Sequence, residues 1–164
     1  MKTIHYQNRN YTILGDLKAS TFLIYLVDES NPEDYEQIYQ KISNEYQLCM
    51  ISVSIHDWQG ELSPWPAPAI FGKHDFAGNA AKFLAELEGF WKWFKDEYNI
   101  ESNQVYLCGY SLAGLFTLWA STHTNTFQKI ASVSPSVWFL NFVQYMQQNQ
   151  VHASEVYMSL GDKE

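Results

Sequence analysis

Short apolar runs alternate along this chain with longer stretches of helical periodicity. Residues 22–27 (Phe-Leu-Ile-Tyr-Leu-Val) and 48–55 are the two strongest runs. A strand that is apolar on both faces has to be covered on both sides, which is typical of parallel sheets that carry helices on each face. The pattern therefore predicts an α/β fold with three layers, α/β/α, around a mostly parallel central sheet.

The other elements follow the same two periodicities. Apolar residues three and four apart predict helices, and short β-rich runs predict strands. The predicted helices are one that begins at Pro32 with Asn31 as its cap, and those at 78–98, 112–121 and 137–148. The predicted strands are 22–27, 48–55, 105–108, 130–133 and 155–160, with antiparallel edge strands within 3–14. No linker divides these elements, so a single domain over residues 1–164 is expected.

Composition excludes several classes of function. Ten Lys and Arg against eighteen Asp and Glu give a net charge of −8, whereas nucleic-acid phosphates require clustered positive charge. No apolar run approaches the ~20 residues that cross a bilayer, and the first residues lack the apolar stretch of a signal peptide. Two cysteines in apolar runs suit a reducing compartment. We therefore predict a cytoplasmic protein without nucleic-acid or membrane partners.

Residues 109–114 (Gly-Tyr-Ser-Leu-Ala-Gly) lie between a predicted strand and a predicted helix. This is the context of a nucleophile elbow, a strained turn that lifts a serine hydroxyl clear of the sheet. The positions two residues before and after the serine must be small, as Gly109 and Ala113 are. Ser111 is then the nucleophile, and the Leu112 amide can donate to an oxyanion. The alternative is a plain tight turn in which Ser111 caps the helix.

Three segments together resemble a known family. They are 109–116 (Gly-Tyr-Ser-Leu-Ala-Gly-Leu-Phe), 134–138 (Ser-Pro-Ser-Val-Trp) and 156–164 (Val-Tyr-Met-Ser-Leu-Gly-Asp-Lys-Glu). In this order they resemble the α/β-hydrolase family that contains the esterase D-like and the enterochelin and siderophore esterases. The resemblance runs from about Phe22 to the C-terminus, with Ala113 where many relatives have glycine. It implies a hydrolase-type fold and a Ser–acid–His enzyme that acts on small-molecule esters without a cofactor.

The order of the triad along such chains is serine, acid, histidine. The acid follows the strand at 155–160, so Glu164 is the first candidate and Asp162 the second. The histidine is expected one strand and one loop later, and no residue follows Glu164. We therefore expect the chain to lack the last strand and helix of the fold, and the 164 residues alone to be inactive.

Of the five histidines, His56 and His74 belong to the sheet edge that carries Ser111. Each can be considered as a substitute base or, with Asp57 and Asp75, as a metal ligand. The ordinary interpretation of His56 is a strand-end residue that is hydrogen-bonded to a loop. The spacing of these pairs is not that of metal ligands, so no metal site is expected.

The loop after the strand at 48–55 is expected to supply the second oxyanion amide, at Trp58. Aromatic side chains near this loop can line an apolar pocket, although Trp65 can equally pack the loop down and Trp138 can belong to a helix core. The predicted pocket residues are Asp57, Trp58, Trp65, Tyr110, Ser136 and Trp138.

Three functions stay open at this point. The first is a serine esterase, and the second is acyl transfer to an acceptor other than water by the same serine. The third is a catalytically incomplete binding or interaction module with the same fold. The strand at 155–160 is expected to be an exposed apolar edge through which the chain can form a homo-oligomer.

Overall fold

A computed structural model describes residues 1–29, 34–70, 72–102 and 104–161. Its strands are β1 (Lys2–Tyr6), β2 (Arg9–Leu14), β3 (Thr21–Asp28), β4 (Cys49–Ile55), β5 (Pro66–Ala67), β6 (Phe76–Ala77), β7 (Gln104–Tyr110), β8 (Lys129–Val133) and β9 (Glu155–Ser159). Its helices are α1 (Asp34–Ser43), α2 (Trp58–Glu61), α3 (Ala80–Tyr98), α4 (Leu112–Ala120) and α5 (Phe142–Gln148). The predicted cap of the first helix, at Asn31 and Pro32, lies outside the described residues.

Seven of the strands form one sheet in the order β1-β2-β4-β3-β7-β8-β9. Five neighbouring strands, β4, β3, β7, β8 and β9, pair in parallel. Strands β1 and β2 pair in antiparallel fashion at one edge of the sheet. The predicted mostly parallel sheet with antiparallel N-terminal strands is confirmed. Strands β5 and β6 form a separate antiparallel pair within the segment that shows no periodicity in the sequence.

The direction of the crossovers assigns the helices to the two faces of the sheet. The chain steps from β3 to β4 in one direction and then returns past β3 to β7, β8 and β9. Because such crossovers are right-handed, α1 lies on one face and α3, α4 and α5 lie on the other. Helix α3 packs on β2, where the ring centroids of Phe90 and Tyr11 are 3.6 Å apart. It also contacts α4, where the ring centroids of Phe83 and Phe116 are 5.1 Å apart.

The two faces are covered unequally. On the α3 and α4 face, Phe22, Ile24 and Leu107 are all fully buried. On the opposite face of β7, β8 and β9, no described side chain is buried, and the exposed or half-buried Lys129 and Glu155 pair there at 2.7 Å. The core therefore lies between the sheet and the α3 and α4 layer.

Strands β3 and β7 are neighbours whose following helices lie on opposite faces of the sheet. In α/β folds the carboxyl ends of such a strand pair form the crevice where ligands bind. Ser111 follows β7 at this edge, and Asp28 ends β3 there. The strand order therefore places the predicted nucleophile at the crevice.

The last helix is shorter than its periodicity predicts. α5 begins at Phe142 and not at Val137, and Asn141 before it has a left-handed backbone with φ of 60°. Residues 136–141 form a loop because the Ser136 amide donates to the Ser111 carbonyl at 3.1 Å, which ties the chain to the elbow. Trp138 consequently lies on an exposed loop and not in a helix core. None of the described helices combines the length and apolar character needed to cross a membrane.

Candidate active site at the carboxyl end of the sheet

Ser111 has the backbone of a strained turn. Its φ is 58° and its ψ is −119°, a conformation that is costly for a residue with a Cβ. Its amide donates to the Val133 carbonyl at 2.9 Å, and its carbonyl accepts from Leu115 at 3.0 Å. The Ser111 side chain makes no capping hydrogen bond to α4. Ser111 therefore occupies the cap position of α4 without the capping hydrogen bond that the alternative interpretation requires.

The small residues around Ser111 are required by contact distances. A Cβ at Gly109 would lie 2.4 Å from the Ala113 carbonyl oxygen and 2.8 Å from the Ala113 Cβ. A Cβ at Gly114 would lie 3.0 Å from the Val133 carbonyl oxygen. A side chain at Gly109 would therefore push α4 away from β7, which is the crowding that the sequence pattern predicts.

The Leu112 amide lies at the first position of α4, directly after Ser111. The first amides of a helix have no acceptor within the helix, and the helix dipole makes this end electropositive. All nine residues of α4 are buried, so the helix is held firmly against the sheet. This placement suits the predicted oxyanion donor.

Ser136 lies against the nucleophile itself. Its Oγ is 3.2 Å from the Ser111 Oγ, and its side chain is 3% exposed. The sequence places Ser136 at the edge of the substrate pocket. The structure brings it closer, into direct hydrogen-bond contact with the predicted reactive oxygen.

Asp28 is a residue of this edge that the sequence analysis misses. Tyr25 pairs with Cys108 across β3 and β7, so three residues further on Asp28 is level with Ser111. It also pairs with Ile55 of β4. A cleft of about 560 Å³ opens here; its lining residues are Asp28, His56, Asp57, Trp58, Gln59, His74 and Asp75. In the sequence Asp28 directly follows the strongest apolar run, which marks it as a strand-end residue. Its place beside Ser111 depends on the strand order, which the sequence pattern does not give.

Among the described residues, no histidine is hydrogen-bonded to Ser111. His56 lines the cleft, and its backbone amide donates to the Glu61 Oε2 at 3.2 Å. This contact fits the ordinary interpretation of a strand-end residue tied to a loop. Within the described parts of the chain, no group of three or more His, Cys, Asp or Glu side chains is arranged to hold a metal ion.

A buried ion pair fixes the loop after β4. Arg9 is 5% exposed, and its guanidinium donates to the Ser54 carbonyl at 2.6 Å and to both Glu61 carboxylate oxygens at 2.8 and 3.1 Å. Burial alone would lower the pKa of Arg9, but the hydrogen bonds to Glu61 and Glu86 and the charge of Glu61 outweigh it, and the pKa is raised. Arg9 therefore stays charged and holds Glu61, and with it the His56 backbone.

Asp57 and Trp58 form the start of α2, which follows β4 along the chain. The Asp57 Oδ1 accepts from the Gly60 amide at 2.9 Å and caps this helix. Because β3 lies between β4 and β7, the strand end next to β7 is that of β3, at Asp28. The second oxyanion amide at Trp58 stays a prediction.

The other predicted pocket residues differ in exposure. Tyr110 and Trp138 are 54% and 48% exposed at the edge that carries Ser111. Trp65 is half-buried, and its Nε1 donates to the Leu140 carbonyl at 3.0 Å while its ring packs on Phe139 and Tyr145. These contacts pack the loop down, which is the alternative that the sequence leaves open for Trp65.

Both candidates for the triad acid, Asp162 and Glu164, lie outside the described residues. They follow β9, whose carboxyl end shares the edge with Ser111 because the strands are parallel. The Ser134 amide donates to the Ser159 carbonyl at 2.7 Å and ties the ends of β8 and β9 together. Their roles stay predictions.

Comparisons with known proteins bear on the fold. No family model matches the sequence, and a search of curated proteins finds no match. An IroE-like serine hydrolase from Shewanella oneidensis superimposes with a TM-score of 0.70 at 18% identity, over 85% of this chain and 51% of that one. The siderophore hydrolase EstA from Aspergillus nidulans gives 0.70 at 18% identity, over 99% and 68%. The BES protein from Bacillus cereus gives 0.70 at 17%, over 98% and 75%.

These identities establish a shared fold alone. The chain spans about half the length of the Shewanella enzyme and about two thirds of the Aspergillus enzyme. The seven-stranded, mostly parallel sheet of this chain is consistent with that shared fold. The predicted fold class is therefore confirmed, and this chain has the α/β-hydrolase fold of the serine hydrolases that it resembles.

Proposed function

We propose that this chain carries the nucleophile of a serine esterase that acts on small carboxylic esters. The observation that carries the proposal is the strained backbone of Ser111 between β7 and the buried helix α4. Strain of this kind persists only where the surroundings enforce it, and it is concentrated at functional sites. The structural similarity to proteins described as a serine hydrolase and as a siderophore hydrolase supports the same reaction class.

In the proposed reaction the Ser111 Oγ attacks the ester carbonyl carbon and its proton passes to a general base. The carbonyl oxygen becomes an oxyanion, which accepts a hydrogen bond from the Leu112 amide and from a second amide, predicted at Trp58. Collapse of this intermediate expels the alcohol, which takes the proton from the base. Water then attacks the carbonyl carbon of the acyl-enzyme and gives a proton to the base. When this second intermediate collapses, the carboxylic acid leaves and the Ser111 Oγ takes the proton back from the base. No cofactor takes part.

The proposed base is a histidine, oriented by Glu164 or, as second candidate, Asp162. No described histidine contacts Ser111, so the test detects the nucleophile directly in the full-length protein. The protein is incubated with a fluorophosphonate probe, and the labelled residue is identified by peptide mass spectrometry. We expect labelling at Ser111, and none after Ser111→Ala.

Hydrolysis of p-nitrophenyl acetate by the same samples measures turnover. Ser121→Ala is the matched control, because Ser121 is a buried serine at the far end of α4 whose hydroxyl donates to the Leu118 carbonyl. This control should keep both activities. If the protein is neither labelled nor able to hydrolyse the ester, the esterase proposal fails, and the binding or interaction module becomes the better description. Transfer of the acetyl group to an added alcohol, faster than to water, would indicate an acyltransferase.

The location is a further part of the proposal. The described cysteines, Cys49 and Cys108, are free and lie in the sheet. Free thiols of this kind suit a reducing compartment, and we place the protein in the cytoplasm on this ground. Cell fractionation followed by immunodetection tests this, and recovery in a secreted fraction would contradict it.

A further inference from the structure

The position of Ser136 is fixed by its backbone and does not depend on its hydroxyl. Its amide donates to the Ser111 carbonyl at 3.1 Å, and its carbonyl accepts from Phe139 at 3.0 Å. The preceding Pro135 is buried, and its carbonyl accepts from Val137 at 2.7 Å. The loop therefore holds the Ser136 side chain over Ser111 even when that side chain is changed.

The Ser136 hydroxyl has one hydrogen-bond partner within the described residues, the Ser111 Oγ at 3.2 Å. The Ser136 side chain is 3% exposed, so water has little access to it. A buried hydroxyl without a partner costs about 1–3 kcal/mol, so the contact is strongly favoured. Ser111 itself is half-exposed.

The direction of this hydrogen bond is set once Ser111 loses its proton. The Ser111 oxygen can then only accept, and the Ser136 hydroxyl keeps its own proton and donates. Hydrogen bonds to a charged oxygen are about twice as strong as neutral ones, and an interaction that strengthens toward the transition state accelerates the reaction. We propose that Ser136 is a positioning residue that orients the Ser111 hydroxyl and stabilises the partial negative charge on its oxygen while the proton passes to the base, before that charge moves to the carbonyl oxygen. The catalytic part of this inference rests on the proposed function of Ser111.

The test replaces the nucleophile by a thiol, whose ionisation can be measured without any esterase activity. In Ser111→Cys the pKa of the introduced thiol is read from the thiolate absorbance near 240 nm as the pH is raised. Burial raises the pKa of both natural thiols, Cys49 and Cys108, to about 12, so they titrate last. Adding Ser136→Ala should raise the pKa of the introduced thiol by about one unit, because the thiolate loses a hydrogen-bond donor.

Two further variants separate the hydroxyl from the packing. Ser136→Thr and Ser136→Val have the same shape, and only the first keeps a donor. We expect the low pKa with threonine and the raised pKa with valine, and no change with Ser121→Ala. Equal values in the threonine and valine variants, or an unchanged value in Ser136→Ala, would overturn the inference. If Ser136→Ala does not fold, the threonine and valine pair decides alone.

In the form of the protein that hydrolyses p-nitrophenyl acetate, Ser136→Ala should lower kcat by about 10- to 100-fold with little change in KM. A rise in KM at constant kcat would instead make Ser136 a substrate-binding residue and overturn the inference. Failure of the thiol titration together with intact fluorophosphonate labelling would reject the role of Ser136 and leave Ser111 as nucleophile. If the expected pKa shift is found but Ser111 is not labelled, the esterase proposal is rejected, and only the hydrogen bond between Ser136 and Ser111 stays supported.

Discussion

Two regions of one sheet, only two strands apart, are built in opposite ways. In the elbow region, residues 109–120, all nine residues of α4 are buried, and a Cβ at Gly109 would meet backbone at 2.4 Å. At the β9 edge, residues 155–160, no side chain is buried, and Val156, Tyr157 and Met158 are 44–61% exposed. At Gly109 the first region has no room for an added methyl group, whereas the second leaves apolar surface open.

The difference teaches where this fold fixes its geometry. The strained Ser111 backbone stores free energy that the surrounding packing has to offset, and the elbow region supplies that packing. The β9 edge contributes little to this packing. Ser159 is nevertheless tied to the loop after β8 by the Ser134 amide, and in the same loop the Ser136 amide donates to the Ser111 carbonyl. The proposed nucleophile should therefore depend strongly on contacts within α4 and weakly on the β9 side chains.

The largest effect is expected from Gly109→Ala. The added methyl group would overlap the Ala113 carbonyl, so α4 must shift away from β7. Overpacking of this kind costs about 1–3 kcal/mol, and the backbone position of the clash favours the upper end. Urea unfolding followed by circular dichroism measures the loss.

The matched control is Gly89→Ala in α3, where the nearest atom to a new Cβ, the Tyr6 hydroxyl oxygen, is 3.8 Å away. Alanine is a better helix former than glycine, so this variant should gain about 0.5–1 kcal/mol. Equal stability changes in the two variants would show that the elbow region is not more tightly packed than an ordinary helix.

The elbow region could be predicted from the sequence because its determinants are local. The Gly109 to Gly114 spacing, the apolar strand before it and the apolar helix after it specify the turn, and periodicity gives those elements to within a few residues. The same local pattern predicts Ser111 as the nucleophile, and its backbone is strained as such a turn requires.

The surroundings of Ser111 depend on pairings that periodicity does not contain. The position of β3 between β4 and β7 places Asp28 level with Ser111. The loop after β8 turns Ser136 onto Ser111 and delays the start of α5. Both follow from contacts between residues far apart in sequence, so a single sequence could indicate the edge of the sheet but not which side chains meet there.

The β9 edge leads to the next prediction, of self-association. We propose that copies of the chain pair through β9 in an antiparallel manner around Tyr157. This register sets Val156 opposite Met158 and Glu155 opposite Ser159, so no like charges face each other across the pair. Unprotected apolar edge strands are prone to such pairing.

Met158→Lys should weaken this association by about 10-fold or more, because it places a charge in the apolar contact. Sedimentation velocity at several concentrations measures it, with Val143→Lys as control, since Val143 is 48% exposed on α5. Each copy carries a net charge of −8, so added salt should strengthen the association by screening the repulsion. A monomer at all concentrations and salt levels would contradict the proposal.

The smallest effect is expected from the thiols on the two faces of the sheet. Burial raises the pKa of Cys49, which is fully buried, from 9.0 to about 12. Below pH 9 the thiol is neutral in both states and contributes no pH dependence. Above it the unfolded chain ionises first, so the free energy of unfolding should fall by about 1 kcal/mol for this thiol between pH 9 and pH 10.

Measuring the free energy of unfolding of Cys49→Ala and Cys108→Ala at pH 9 and pH 10 compares how well the two faces of the sheet exclude water. Cys49 lies on the face covered by α3 and α4, and Cys108 is half-buried on the open face. Burial raises the pKa of Cys108 to about 12 as well, so each replacement should make stability less dependent on pH. If only Cys49→Ala does so, water reaches the Cys108 thiol, and the open face is hydrated as far in as the strand that carries Ser111.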